Sequence, residues 1–113
     1  MSRDWEVDKA GVLVARARLN IARPVRVKVT GQRKTAGRYK GIAGGVHEVT
    51  LSTYLSVEEA GETLWHELAH AAQREEYGSH GEWMAAYDTT ALMEANAEAA
   101  ERLNERFPLC RLR

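Results

Sequence analysis

Apolar residues recur along this chain with two periods, and each predicts its own kind of element. Val7, Ala10, Val14, Ala17 and Ile21 fall at helical spacing with Leu13 beside them, while Asp8, Lys9, Arg16 and Arg18 lie off that stripe. The spacing predicts a helix over 5–22 that ends before Pro24, because proline disfavours helical geometry in the residue preceding it. From residue 25 the period drops to two. Val25, Val27 and Val29 alternate with Arg26, Lys28 and Thr30, the pattern of a half-buried strand. Residues 35–43 read as a second strand interrupted by Gly37 and Gly41, Gly44-Gly45 as a turn, and 46–52 as a third strand in which Val49 and Leu51 alternate with Glu48 and Thr50. Tight turns between successive strands predict a small three-stranded antiparallel sheet.

The helical period then returns. Ser56 and Glu59 have the spacing of a capping box, so a helix is expected over 57–77, stopping at Gly78. Its core stripe is Val57, Ala60, Leu64, Leu68, Ala71 and Ala72. Ser79-His80-Gly81-Glu82 is a second capping-box pattern and opens a last helix that runs to about 106, before Pro108. Trp83, Tyr87, Met93, Ala97, Ala100, Leu103 and Phe107 mark its apolar side. Helix, three strands, helix, helix is an α+β arrangement. With 113 residues the expectation is a single domain over 1–113.

Composition narrows the class. At 44% hydrophobic and 28% charged the chain is ordinary for a globular protein, which excludes a disordered tail or a fibre. No apolar run of about 18 residues exists, so no membrane partner is expected. The single cysteine, Cys110, cannot form an internal disulfide or a cysteine-rich zinc ribbon. The charged N-terminal residues lack a following apolar segment, so no signal peptide is read, and both features point to a cytoplasmic setting. The formal charge is zero but unevenly spread. Residues 1–47 hold eleven Lys/Arg and three acids, net +8, and residues 48–113 are net −8. The basic half raises a DNA contact as a partner expectation, against the simpler reading of two solvated faces of opposite sign.

One segment carries chemistry. Trp65-His66-Glu67-Leu68-Ala69-His70 is an H-E-x-x-H pattern inside a segment independently read as helix. Residues i and i+4 share a helix face, so the imidazoles of His66 and His70 can reach one Zn²⁺, and Glu67 can act as general base on a metal-activated water. A catalytic zinc takes a third protein ligand. The spacing with a Gly and a third His at positions 73 and 76 is excluded by Gln73 and Glu76. His80, Glu94, Glu98 and, less simply, Glu82 remain.

Thr63-Leu64-Trp65-His66-Glu67-Leu68-Ala69-His70-Ala71, followed by Ser79-His80-Gly81-Glu82-Trp83, resembles the SprT-like zinc metallopeptidases, the group that includes Spartan. Arg33-Lys34-Thr35-Ala36-Gly37 and Val49-Thr50-Leu51-Ser52 are similar to the strand pair that precedes the family's metal helix. The resemblance spans about residues 20–90. It implies a zincin-like fold, one Zn²⁺ per chain held by His66, His70 and His80, and Glu67 as the catalytic acid/base. Many relatives add a four-cysteine zinc ribbon, for which one cysteine offers no counterpart.

The expected activity is therefore zinc-dependent hydrolysis of peptide bonds in a protein or peptide substrate. The alternative is a non-catalytic, zinc-stabilised module that binds nucleic acid or protein. Strand 46–52 is the expected sheet edge for pairing with an extended substrate. Tyr54, Tyr77 and Tyr87 read as half-buried packing residues, His47 as a solvent or packing histidine, Trp65 and Trp83 as core, and Cys110 as an inert thiol.

Overall fold

The structure is a computed structural model that describes residues 3–86 and 90–113, with side chains for all of these except 90–93. It is α+β. In chain order the elements are β1 (Trp5–Val7), α1 (Lys9–Arg18), β2 (Val25–Thr30), β3 (Gly37–Ala43), β4 (Val46–Ser52), α2 (Val57–Glu75), α3 (His80–Ala86), α4 (Thr90–Glu101), a 3₁₀ turn (Arg102–Glu105) and β5 (Cys110–Leu112). Helix α2 is the hub. It packs against α1, α3, α4, the 3₁₀ turn and strands β1, β3, β4 and β5.

The start of the chain differs from the expected helix over 5–22. Trp5–Val7 is a strand, paired antiparallel with β5. Trp5 is fully buried, and its indole N–H donates to the Leu55 carbonyl at 2.7 Å. Helix α1 begins only after Asp8, whose carboxylate accepts from the Gly11 amide as an N-cap. The buried face is consequently Val12 and Ala15, whereas Leu13 and Val14 are about 60% exposed. The long-range pairing of residues 5–7 takes those residues out of the helix, and of the expected stripe Ala10, Leu13, Val14 and Ala17 are exposed while Ile21, beyond the helix end, is buried.

The sheet also departs from the expected antiparallel meander. Its order is β2-β4-β3, with β2 parallel to β4 and β3 antiparallel to it. Gly44 and Gly45, both at positive φ, make the tight β3–β4 turn that the sequence announces. The loop over 31–36 instead carries the chain past the position of β4, which inserts between the other two strands. Strand β4 has the side chains for that place: His47, Val49, Thr50, Leu51 and Ser52 are all buried. Strands β2 and β3 carry the exposed cations Arg26, Lys28, Arg38 and Lys40, residues suited to sheet edges. Strand 46–52 is thus the centre of the sheet and not the edge expected for substrate pairing.

Helix α2 matches its expected start and stripe. Ser56 Oγ accepts from the Glu59 amide and the Glu59 carboxylate accepts from the Ser56 amide, closing the capping box. Ala60, Leu64, Leu68 and Ala71 are fully buried, joined by Trp65. At the second capping box Ser79 Oγ accepts from the Glu82 amide as expected, but the Glu82 carboxylate takes the Gly78 amide. The segment expected as one last helix is described as α3 and α4. Tyr87 lies outside the described residues, as does the side chain of Met93. Ala97 and Ala100 are buried as expected.

Candidate metal centre

His66 and His70 sit one turn apart on α2, with ring centroids 5.0 Å apart and planes at 76°. Both face a cleft of about 370 Å³ whose walls come from β3 (Gly37, Arg38, Tyr39), Trp83 of α3 and Glu94 of α4. Glycine at position 37 lets β3 approach α2 closely, since a Cβ there would lie 2.6 Å from the Thr63 methyl and 2.9 Å from the Thr50 carbonyl.

Each imidazole is held by an oxygen on its outer nitrogen. His66 Nδ1 lies 2.9 Å from Glu101 Oε1, and His70 Nδ1 lies 3.1 Å from Gln73 Oε1. Both Nε2 atoms converge on one carboxylate: His66 Nε2 is 2.9 Å from Glu94 Oε2 and His70 Nε2 is 3.0 Å from Glu94 Oε1. A neutral imidazole has one N–H. If Nδ1–H donates to Glu101 or Gln73, each Nε2 presents a lone pair to an acceptor oxygen. Three acceptor groups then crowd one point, an arrangement that a cation resolves. Oxygen partners on Nδ1 are also the usual outer support of metal-ligating histidines. A tetrahedral zinc with bonds near 2.0–2.1 Å separates its ligands by roughly 3.3 Å. The two nitrogen–carboxylate separations need to open by only a few tenths of an ångström, so these donors fit the ion.

Glu67 is buried beside the two histidines, and the donor atoms of the three residues lie within 4.8 Å of one another. Burial raises its carboxyl pKa, opposed by His66, His70 and the hydrogen bond from the Tyr39 amide and reinforced by Glu94. The direction suits a general base, whose pKa works best near the operating pH.

The other residues proposed from sequence fall elsewhere. His80 is exposed at the start of α3, edge-on to Trp83 with centroids 5.4 Å apart, and lines an adjoining pocket with Arg38, Lys40 and Met84. It is not brought into the His66–His70–Glu94 group. Glu82 caps α3, and Glu98 is exposed on the far side of His66, near Glu62 and Glu105. Tyr54 is half-exposed under the Arg33 guanidinium. Cys110 is buried and its thiol pKa is pushed up to about 12 by that burial, consistent with an inert thiol.

Three residues escape a reading of the sequence alone: Tyr39, Gln73 and Glu101. Gln73 and Glu101 hold the imidazoles. Gln73 is legible in principle, because it lies three residues after His70 on the same helix face. Tyr39 belongs to a chain of contacts that ties β3 to the sheet and to α2. Its hydroxyl is 2.8 Å from His47 Nδ1, His47 Nε2 is 3.2 Å from Glu75 Oε2, and Arg23 donates to the same oxygen at 2.7 Å. His47 is fully buried, a packing histidine, and its burial lowers its pKa. Desolvation acts to raise the Glu75 pKa, but donors from Arg23, the Ala22 amide and His47 outweigh it and lower the value to about 2.

That depression sets an acid limit. The folded pKa lies below the ordinary 4.5, so the stabilisation is complete above about pH 5 and is lost as pH falls towards 2. Glu75→Gln is expected to cost about 2 kcal/mol at neutral pH and to flatten the acid limb of stability. Urea titrations from pH 7 to pH 2 check this, and parallel profiles for the two proteins would count against it.

Comparison of the chain with protein-family models, with curated proteins and with solved structures finds no match in any of the three. Among the described residues no helix is long and apolar enough to cross a membrane.

Proposed function

We propose that this chain is a zinc metallopeptidase domain of SprT-like character that hydrolyses peptide bonds in a protein or peptide substrate. The observation that carries the reading is the convergence of both H-E-x-x-H Nε2 atoms on the Glu94 carboxylate at 2.9 and 3.0 Å, with each Nδ1 held by an oxygen. His66, His70 and Glu94 would hold the ion. When bound, zinc lowers the pKa of a coordinated water and polarises a carbonyl.

The chain's own residues supply the rest. Glu67 accepts the water proton on its carboxylate and returns a proton to the leaving amine. The Tyr39 amide near that carboxylate favours its charged form. The edge that serves an extended substrate is β3. Ser52 N donates to the Ala36 carbonyl, and Arg38 stands opposite Thr50. By strand alternation, Arg38 spends its main-chain groups on β4 while those of Gly37 and Tyr39 face the cleft. A substrate strand there would lie across Glu67 and the histidines.

Zinc removal is the direct test. Dialysis against a chelator should abolish cleavage of an unfolded protein substrate, and about one equivalent of Zn²⁺ should restore it in step with metal content measured by elemental mass spectrometry. A protein that takes up no zinc on reconstitution would sink the reading.

A further inference from the structure

At the β2 edge of the sheet, α1 and β2 are separated by a groove of about 470 Å³ lined by Val7, Val12, Leu13, Val25 and Val27. Cations rim it: Lys9 and Arg16 on α1 and Arg26 on β2. Arg26 has a long contact to Glu48 at 3.5 Å; Arg16 donates from Nη2 to the Ala22 carbonyl at 3.0 Å, and among the described residues its buried Nε has no acceptor. Leu13, about 60% exposed, stands over the groove.

The groove opens onto an unpaired sheet edge. Among the described residues no strand lies beyond β2. The His47 amide donates to the Pro24 carbonyl and the Thr53 amide to the Thr30 carbonyl. In a parallel ladder alternate residues bond to the partner. Residues 24, 26, 28 and 30 therefore spend their main-chain groups on β4, and the N–H and C=O of Val25, Val27 and Val29 point away from the sheet.

We propose that this edge receives an extended segment of a partner protein, about five or six residues long, in which apolar and acidic residues alternate. Main-chain pairing with Val25, Val27 and Val29 makes the segment a fourth strand. Neighbouring strands share faces. The segment's inward side chains fill the groove against Val7, Val12 and Leu13, so they are apolar. Its outward side chains flank the exposed Arg26 and Lys28, so they are acidic. Charge complementarity selects this occupant over a neutral or basic strand. The proposal makes no use of the metal centre and stands apart from the peptidase reading.

The test uses the full chain, ¹⁵N-labelled, titrated with a fluorescein-labelled hexapeptide alternating Glu and Val, against the same peptide with Lys for Glu. The expected result is shifts at the amides of Val25, Val27 and Val29 and an affinity at least about tenfold tighter for the acidic peptide. Val27→Pro deletes an outward N–H while leaving the ladder to β4 intact, and proline is tolerated on edge strands. It should abolish binding. Leu13→Asp, at an exposed position, should weaken binding about tenfold with an unchanged melting temperature, which keeps the test decisive if Val27→Pro fails to fold. Equal affinities for the two peptides, or no shifts up to about 5 mM, would overturn the proposal. So would a dimer in sedimentation analysis that Leu13→Asp dissociates, which assigns the edge to a second copy. Displacement of the peptide by duplex DNA, steeply dependent on salt, would assign the face to nucleic acid instead.

Discussion

Glu67→Gln is expected to lower peptide hydrolysis by about 10²–10⁴-fold while leaving one zinc per chain in place. The amide keeps the size of the carboxylate but cannot accept a proton as a base. Glu67 lies beside the histidines, but the carboxylate that meets both Nε2 atoms is that of Glu94. The exchange should therefore spare metal binding. Stability should hold or rise, because burial penalises the charged form of this side chain. Parallel measurements of turnover and zinc content check the expectation. Undiminished hydrolysis with metal bound would remove Glu67 from the chemistry, and loss of zinc would make it a ligand.

The second large effect separates Glu94 from His80. Glu94→Ala is expected to weaken zinc binding by more than about a hundredfold, since loss of an outer partner alone typically costs 10–100-fold. His80→Ala should retain the metal, because that ring meets Trp83 edge-on at the exposed start of α3 and stands outside the His66–His70–Glu94 group. Glu101→Ala, which frees the outer nitrogen of His66, should fall between them at about 10–100-fold. Competition with a chromophoric chelator gives all three affinities. Zinc lost from His80→Ala and kept by Glu94→Ala would reverse the assignment and restore the ligand set that the SprT-like resemblance implies.

The features legible in the amino-acid sequence are local ones. The capping box at Ser56 and Glu59, the buried stripe of α2 and the helical placement of His66, Glu67 and His70 all depend on contacts three or four residues apart, which periodicity records directly. The β3–β4 turn is legible for the same reason, through Gly44-Gly45.

Tertiary structure decides the rest. Which strand lies in the middle depends on the burial available to β4 on both faces, and alternation within one strand does not encode its neighbours. The pairing of Trp5–Val7 with Cys110–Leu112 joins the two ends of the chain, so no window of sequence contains it. Helix α1 then starts after Asp8, with Val12 and Ala15 inward and Leu13 and Val14 exposed, beside the α1–β2 groove. Tyr39, Glu94 and Glu101 reach the histidine site from elements distant in sequence. The H-E-x-x-H residues are thus a property of one helix, while the carboxylate opposite them, the oxygen beside His66 Nδ1 and the edge that faces them are properties of how β3 and α4 pack against that helix. Local hydrogen bonds determine the first, and burial of apolar faces at long range determines the second.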